Sequence, residues 1–215
     1  MIIPAINAKT FEEAKKQLKK IETISATRVH FDIVDGKFAS NTTWGSPEAL
    51  QQLVIESALS MSNFEIHLMI ENPEFAVDAW ARCGVARIIV HAEAISDSEI
   101  IFDACREHNV EVMIAIGTDA QVEKLEPFFE KTHFFQILAV TPGKAGQTFD
   151  NKALEKIKLL KRKKTDAIIE VDGGINIETA RACKGAGAHE FVSASYILES
   201  DDVSEAYDSL IQAVQ

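Results

Sequence analysis

The sequence predicts an α/β fold, a (β/α)8 barrel occupying residues 1–215 as one domain. Three observations carry that expectation. Short apolar stretches alternate with amphipathic ones eight times, with no linker or compositional break between them. Eight parallel strands with their helices need about 200–250 residues, the size of this chain. A doubly wound open sheet is the alternative, but it rarely needs eight such regular units, and no GxGxxG follows the first strand.

Ile2–Ala5 is the first strand. Thr10 begins the first helix, with Glu13 completing a capping box and Phe11, Ala14, Leu18 and Ile21 forming its apolar stripe. Arg28–Val34 is the second strand, and Ser46-Pro47 starts the next helix with serine as cap and proline at the first position. Phe64–Met69 is the third strand. Asn72-Pro73 repeats the helix-start signal, and Phe75, Ala79 and Trp80 are expected on one apolar face. Arg87–Val90 is the fourth strand; Ser96 and Glu99 are expected to box a helix carrying Ile100, Ala104 and Cys105. Glu111–Ile116 is the fifth, followed by a helix from about Asp119 to Glu126. Phe134–Val140 is the sixth, followed by a loop at Thr141–Thr148 and a helix through Leu154, Ile157, Leu160 and Lys161. The run Lys161-Arg162-Lys163-Lys164 suits a helix C-terminus better than a nucleic-acid contact. Ala167–Val171 is the seventh strand; Asn176 caps a helix through Ala180 and Cys183 that ends at Gly185. Glu190–Ser193 is the eighth strand and Asp202–Val214 the last helix.

Hydrophobic residues make up 47% of the chain and charged residues 26%, as in an ordinary globular protein. Acidic residues outnumber basic ones 33 to 22, and the resulting charge of −11 argues against binding nucleic acid or an anionic membrane. It leaves room for a small phosphorylated ligand held by one local loop. Cys83, Cys105 and Cys183 form no CxxC pair, so they are expected to be reduced thiols of a cytoplasmic protein. The N-terminus lacks the basic and long apolar parts of a signal peptide, and no apolar run approaches the roughly 18 residues of a membrane span.

The chemistry gathers at strand ends. In Val29-His30-Phe31-Asp32-Ile33-Val34, the apolar Val29, Phe31 and Ile33 alternate with His30 and Asp32, which share the other face about 7 Å apart. Burying such a pair is costly without a partner. His67 on the third strand and Asp172 on the seventh occupy similar ends, and a closed barrel would aim all of them into one mouth. Two histidines and two carboxylates make a divalent-metal site, suiting zinc, iron, manganese or cobalt alike. Singly, each residue fits a simpler role as a hydrogen-bonded core histidine or a helix cap; four together do not. Gly143 and Gly146 in the loop after strand six, Asp172-Gly173-Gly174 after strand seven and Ser193-Ala194-Ser195 after strand eight bring three small-residue loops side by side, which favours phosphate binding.

These motifs, in this order, resemble the ribulose-phosphate 3-epimerase family over nearly the whole length. The resemblance is carried by His30-Phe31-Asp32-Ile33-Val34-Asp35-Gly36 with Phe38 and Asn41, His67-Leu68-Met69-Ile70-Glu71-Asn72-Pro73, Val90-His91-Ala92-Glu93, Pro142-Gly143 with Gly146-Gln147, and Glu170-Val171-Asp172-Gly173-Gly174. It implies a (β/α)8 barrel with His30, Asp32, His67 and Asp172 as ligands of one divalent metal. It makes Asp32 and Asp172 the two acid/base residues, interconverting D-ribulose 5-phosphate and D-xylulose 5-phosphate through an ene-diolate. Substrate and phosphate would meet His67, Met69, Gly143, Lys144, Ala145, Gly146, Gly173, Gly174, Ala194 and Ser195. A homo-oligomer is expected, with no nucleic-acid or membrane partner.

The departures cluster at the substrate. Ala5 replaces the family's serine; Val34 and Leu138 stand where methionines are common, leaving Met69. Lys144 and Ala145 replace Phe and Gly, and Ala194 replaces a glycine. They motivate two alternatives, an epimerase of a related ketohexose phosphate and a barrel that binds sugar phosphate without turnover. A lyase of a neighbouring phosphate-binding barrel would carry a lysine among the acidic strand ends, whereas Lys37 lies beyond the turn.

Overall fold

Successive side chains of a strand point to opposite faces, and this chain uses the two faces for different purposes. The computed structural model describes residues 1–143 and 146–215. The strands are β1 (Ile2–Ile6), β2 (Val29–Val34), β3 (Phe64–Met69), β4 (Arg87–His91), β5 (Glu111–Ile116), β6 (Phe134–Leu138), β7 (Ile168–Asp172) and β8 (Glu190–Ser193). They close into a parallel barrel in chain order, β8 pairing back onto β1. The register sets Asp32 beside His67, His30 beside Glu65, and Leu138 beside Asp172.

Outside the barrel lie α1 (Phe11–Ile21), α2 (Pro47–Ile55), α3 (Glu74–Arg82), α4 (Ser98–Glu107), α5 (Lys152–Lys163), α6 (Ile177–Ala186), α7 (Ser195–Leu198) and α8 (Val203–Ala213). One parity of the strands, including Phe31, Ile66, Leu68, Ile88, Val90 and Ile114, packs against helix residues such as Leu18, Leu50, Trp80 and Leu160 in a single apolar cluster. Each large side chain so buried contributes about 1.5–3 kcal/mol, so the stability of the fold resides mainly in this outer layer. The inward parity mixes polar and apolar residues. His30, Glu65, His67, Arg87, His91, Gln136 and Glu170 are all buried inside the barrel, beside three small apolar groups.

Several local expectations are corrected. Helix α4 is capped by Asp97, whose carboxylate accepts from the Glu99 N–H, while the Ser96 N–H bonds Glu74. The stripe is therefore Ile101 and Cys105, and Ile100 is half exposed. On α3 the buried face is Val77, Trp80 and Ala81, leaving Phe75 exposed. The helix expected over 119–126 is a 3-10 segment at Val122–Phe128 with Pro127 inside, where the missing N–H forbids a regular α-turn. Helix α6 runs through Gly185 and stops at Gly187, the residue that takes the left-handed cap. The short α7 has no counterpart among the expected elements; four residues are too few to show helical periodicity. The basic end of α5 is ion-paired, Lys163 with Glu123 and Glu126 and Lys164 with Asp166. Cys105 and Cys183 are buried and free, their thiols pushed up to about 12 by burial. Among the described residues, no helix is long and apolar enough to cross a membrane.

Candidate active site

Strand geometry brings His30, Asp32, His67 and Asp172 together. Their ligand atoms all lie within 4.8 Å of one another. His30 Nε2 is 3.2 Å from Asp32 Oδ1, 3.2 Å from His67 Nδ1 and 3.9 Å from Asp172 Oδ2. His67 Nδ1 is 3.3 Å from Asp32 Oδ1 and 3.4 Å from Asp172 Oδ2. Ligands about 2.0–2.1 Å from a tetrahedral ion stand about 3.3 Å apart, so the four atoms already outline the edges such an ion requires. Two imidazole nitrogens and two carboxylates in a buried site are also a chemically suitable donor set.

Beneath this group lies a column of charge. His30 Nδ1 is 2.8 Å from Glu65 Oε1, which leaves Nε2 facing the other three side chains. Arg87 donates to Glu190 at 2.6 Å, Glu111 at 3.0 Å, Glu65 at 3.3 Å and Glu170 at 3.5 Å. Gln136 donates to Glu170 Oε1 at 2.8 Å. On the other side, His67 Nε2 is 2.9 Å from His91 Nε2, with the rings stacked at 5.1 Å.

Burial opposes charge on His30, but its hydrogen bonds with Asp32 and Glu65 outweigh burial and hold it well above the usual imidazole range. His67 is raised likewise, burial being overcome by Asp172 and Asp32. Asp32 is held well below the carboxylate range, because the two histidines outweigh its own burial. Glu170 is pushed well upward by burial and the neighbouring Glu65. A metal ligated by these nitrogens would compete with protons for them.

The mouth above this group is a cleft of about 490 Å³, including space open to solvent. Asp32, Met69, Gly143, Gly146, Asp172, Gly173, Gly174, Ala194 and Ser195 all line it, so most of the residues expected at the site meet there; His30 and His67 lie buried below. Lys144 and Ala145 lie outside the described residues. The loop after β2 folds over one side. Asp35 accepts from the N–H groups of Lys37, Phe38 and Glu71, and Asn41 donates to the Gly143 carbonyl across the mouth. Gly143 has φ +104, and a Cβ there would collide with Asn41. Gly174 has φ +67, and a Cβ there would sit 2.8 Å from the Phe149 backbone. Phe38 packs on His91, whereas Trp44 turns away and packs edge-on to Phe11 and Phe31.

Asn7 is a site residue that sequence reasoning missed. It lines the cleft and donates to Asp32 Oδ2 at 2.8 Å. Glu65, Arg87, Gln136, Glu170 and Glu190 were missed too. Parity was the available signal: Glu65 and Glu170 each precede a ligand candidate by two residues on the same strand face, and Asn7 follows Ala5 by two.

The barrel and its His/Asp mouth define a class, a (β/α)8 scaffold with a candidate metal site at the carboxyl ends of its strands. Residues 1–198 match the model of the ribulose-phosphate 3 epimerase family. A ribulose-phosphate 3-epimerase of Chlamydia muridarum is 33% identical over 210 residues, covering 95% of this chain and 90% of that protein. One from Bacillus subtilis is 31% identical, covering 97% of each. The chain belongs to the ribulose-phosphate 3-epimerase family, and is an isomerase acting on carbohydrates. In fold it is also similar to KGPDC from Streptococcus mutans, solved as a ligand complex (TM-score 0.75, 12% identity, 99% of this chain and 96% of that one). A 3-hexulose-6-phosphate synthase is similar too (TM-score 0.72, 16% identity, 100% and 99%). At these identities the likeness concerns the barrel alone.

Proposed function

We propose that this protein inverts carbon 3 of a ketose phosphate, interconverting D-ribulose 5-phosphate and D-xylulose 5-phosphate. The observation that carries the proposal is the placement of Asp32 and Asp172. They reach one cleft from β2 and β7, with β1 and β8 between those strands in the barrel wall. The hydrogen to be moved is α to a ketone. Inversion requires its removal on one face and return on the other, which a single carboxylate cannot do. In one direction Asp32 takes the proton from carbon 3 and Asp172 delivers one to the opposite face; the reverse reaction exchanges the roles. Asn7 holds Asp32 Oδ2 in place at the cleft. The lowered pKa of Asp32, set by its histidine neighbours, keeps it ionised.

His30, Asp32, His67 and Asp172 would hold one divalent ion. When bound, it supplies Lewis acidity to the substrate's oxygens and so stabilises the ene-diolate. Glu65 holds His30 with Nε2 toward the ion's position, and Met69 supplies an apolar wall to the cleft. Gly143, Gly146, Gly173, Gly174, Ala194 and Ser195 are the residues we assign to the phosphate end, because three loops with small side chains leave backbone accessible there. Lys144 and Ala145 belong to the same loop in sequence.

A second reading is favoured by Ala5 and Ala194, which border both the cleft and an adjoining crevice between α1 and α7 of about 850 Å³, again counting space open to solvent. Room on that side would admit a longer ketose phosphate such as a ketohexose. We also expect a cytoplasmic homo-oligomer. The test is NMR in D2O with protein reconstituted with zinc, iron, manganese or cobalt, over a panel of ketose phosphates. Deuterium should enter carbon 3 as the isomers interconvert. Binding without exchange or interconversion for any of them would overturn the assignment.

A further inference from the structure

The motif Val90-His91-Ala92-Glu93 is not used by the proton transfers described above, yet His91 is entirely buried at the end of β4. Its Nε2 lies 2.9 Å from His67 Nε2. Its Nδ1 has no hydrogen-bond partner among the described residues; the nearest charged atom is Glu93 Oε2 at 3.7 Å. Phe38 covers the ring at 4.7 Å, and Glu93 is anchored by the Gly117 N–H at 2.8 Å.

From this geometry we infer that His91, oriented by Glu93, is a positioning residue that holds His67 in the tautomer with its Nδ1 lone pair turned to the metal. The inference rests on the proposal that His30, Asp32, His67 and Asp172 hold an ion. With an ion bound both imidazoles are neutral, and meeting nitrogen to nitrogen at 2.9 Å they share one proton between those atoms, which leaves two arrangements. If the proton sat on His91 Nε2, the lone pair of the buried His91 Nδ1 would face the Glu93 carboxylate, and His67 Nδ1 would carry the proton that an ion must displace. If it sits on His67 Nε2, His91 accepts it, His91 Nδ1–H points its positive end at Glu93, and His67 Nδ1 is free to ligate. The second arrangement turns an N–H rather than a lone pair toward the Glu93 carboxylate, and low dielectric strengthens that preference. His30 and His67 would then ligate through different nitrogens, Nε2 and Nδ1, each locked from behind by its own partner, Glu65 or His91.

The test uses full-length protein and Zn2+ alone. Long-range 1H–15N correlation of the zinc-loaded protein should show His91 protonated on Nδ1 and His67 on Nε2; the reverse pattern overturns the inference. Zinc affinity is read by competition with a chromogenic chelator. His91→Phe keeps the stacking and removes the acceptor, and should weaken zinc binding about 10–100-fold, the usual cost of losing such a partner. His91→Gln places an amide oxygen near the former Nε2 and should recover most of the affinity. Unchanged affinity in His91→Phe, or equal losses in both variants, overturns the inference. If His91→Phe does not fold, His91→Gln and the wild-type spectrum decide it. Failure of the wild type to bind zinc would instead overturn the metal proposal itself, a separate result.

Discussion

Arg87 is the largest side chain fully enclosed by the barrel, and replacing it with methionine tests whether the interior charge column is a unit. Methionine fills much of the volume, so the change is chiefly electrostatic. Glu65 would keep His30 at 2.8 Å and Arg28 at 3.7 Å, and Glu111 is half exposed and also near Arg28. Glu190 loses its 2.6 Å partner and, among the described side chains, has no other cation in an ion pair with it. Arg87 also leaves the face of Phe134, over which it sits at 4.5 Å. Breaking a buried ion pair from one side costs about 3–5 kcal/mol. For a chain of this length that corresponds to a fall in Tm of about 6–20 °C, at roughly 2–4 °C per kcal/mol. The assay is calorimetry of Arg87→Met alone and combined with Glu190→Gln, which removes the stranded charge and should recover most of the loss. A single variant within about 2 °C of wild type, on the scale of roughly 2–4 °C per kcal/mol, or a double variant no better than the single, would refute the reasoning.

Asp32→Asn and Asp172→Asn should each lower turnover by at least about 10²–10⁴-fold in the coupled isomerase assay, since each removes one face's proton carrier. Metal affinity should rise with pH, because His30 and His67 are held above their ordinary 6.5 and must lose those protons to ligate. Calorimetry in buffers of different ionisation enthalpy should show proton release on Zn2+ binding near neutral pH. The raised histidines stabilise the metal-free fold below 6.5 and lose that contribution as pH climbs through their folded values. Gly174→Ala forces a Cβ into the Phe149 backbone at φ +67 and should cost about 1–3 kcal/mol in urea unfolding. An exposed-thiol reagent should modify Cys83 in the native protein and reach Cys105 and Cys183 on unfolding.

The barrel was legible because its signals are repeated: each strand is short with apolar residues on its outward parity, and α1, α2, α4, α6 and α8 open on a side-chain cap. The His/Asp group was legible because a histidine and an aspartate two residues apart on a strand of apolar residues need partners to be buried together, and closure gathers them with His67 and Asp172. Boundaries fared worse where one residue decides them. Asp97 outcompetes Ser96 as a cap, and a proline at position 127 turns an expected helix into a tighter coil. The charge column was hidden for a different reason. Glu65 shares a strand face with His67, but Arg87 and Glu190 begin their strands' polar face from the far end of the barrel with no such neighbour two residues on; closure alone brings the three together.

The split between the two strand parities bears on how such a protein can change. Residues that hold the fold together point to the helices, and those of the candidate site point to the axis. A substitution on the axial side therefore leaves the outer packing intact, so new chemistry can be tried without dismantling the scaffold. The constraint falls on charge instead: an axial carboxylate or cation can be gained or lost freely only in company with its counter-ion, so axial residues are expected to vary in matched pairs rather than singly.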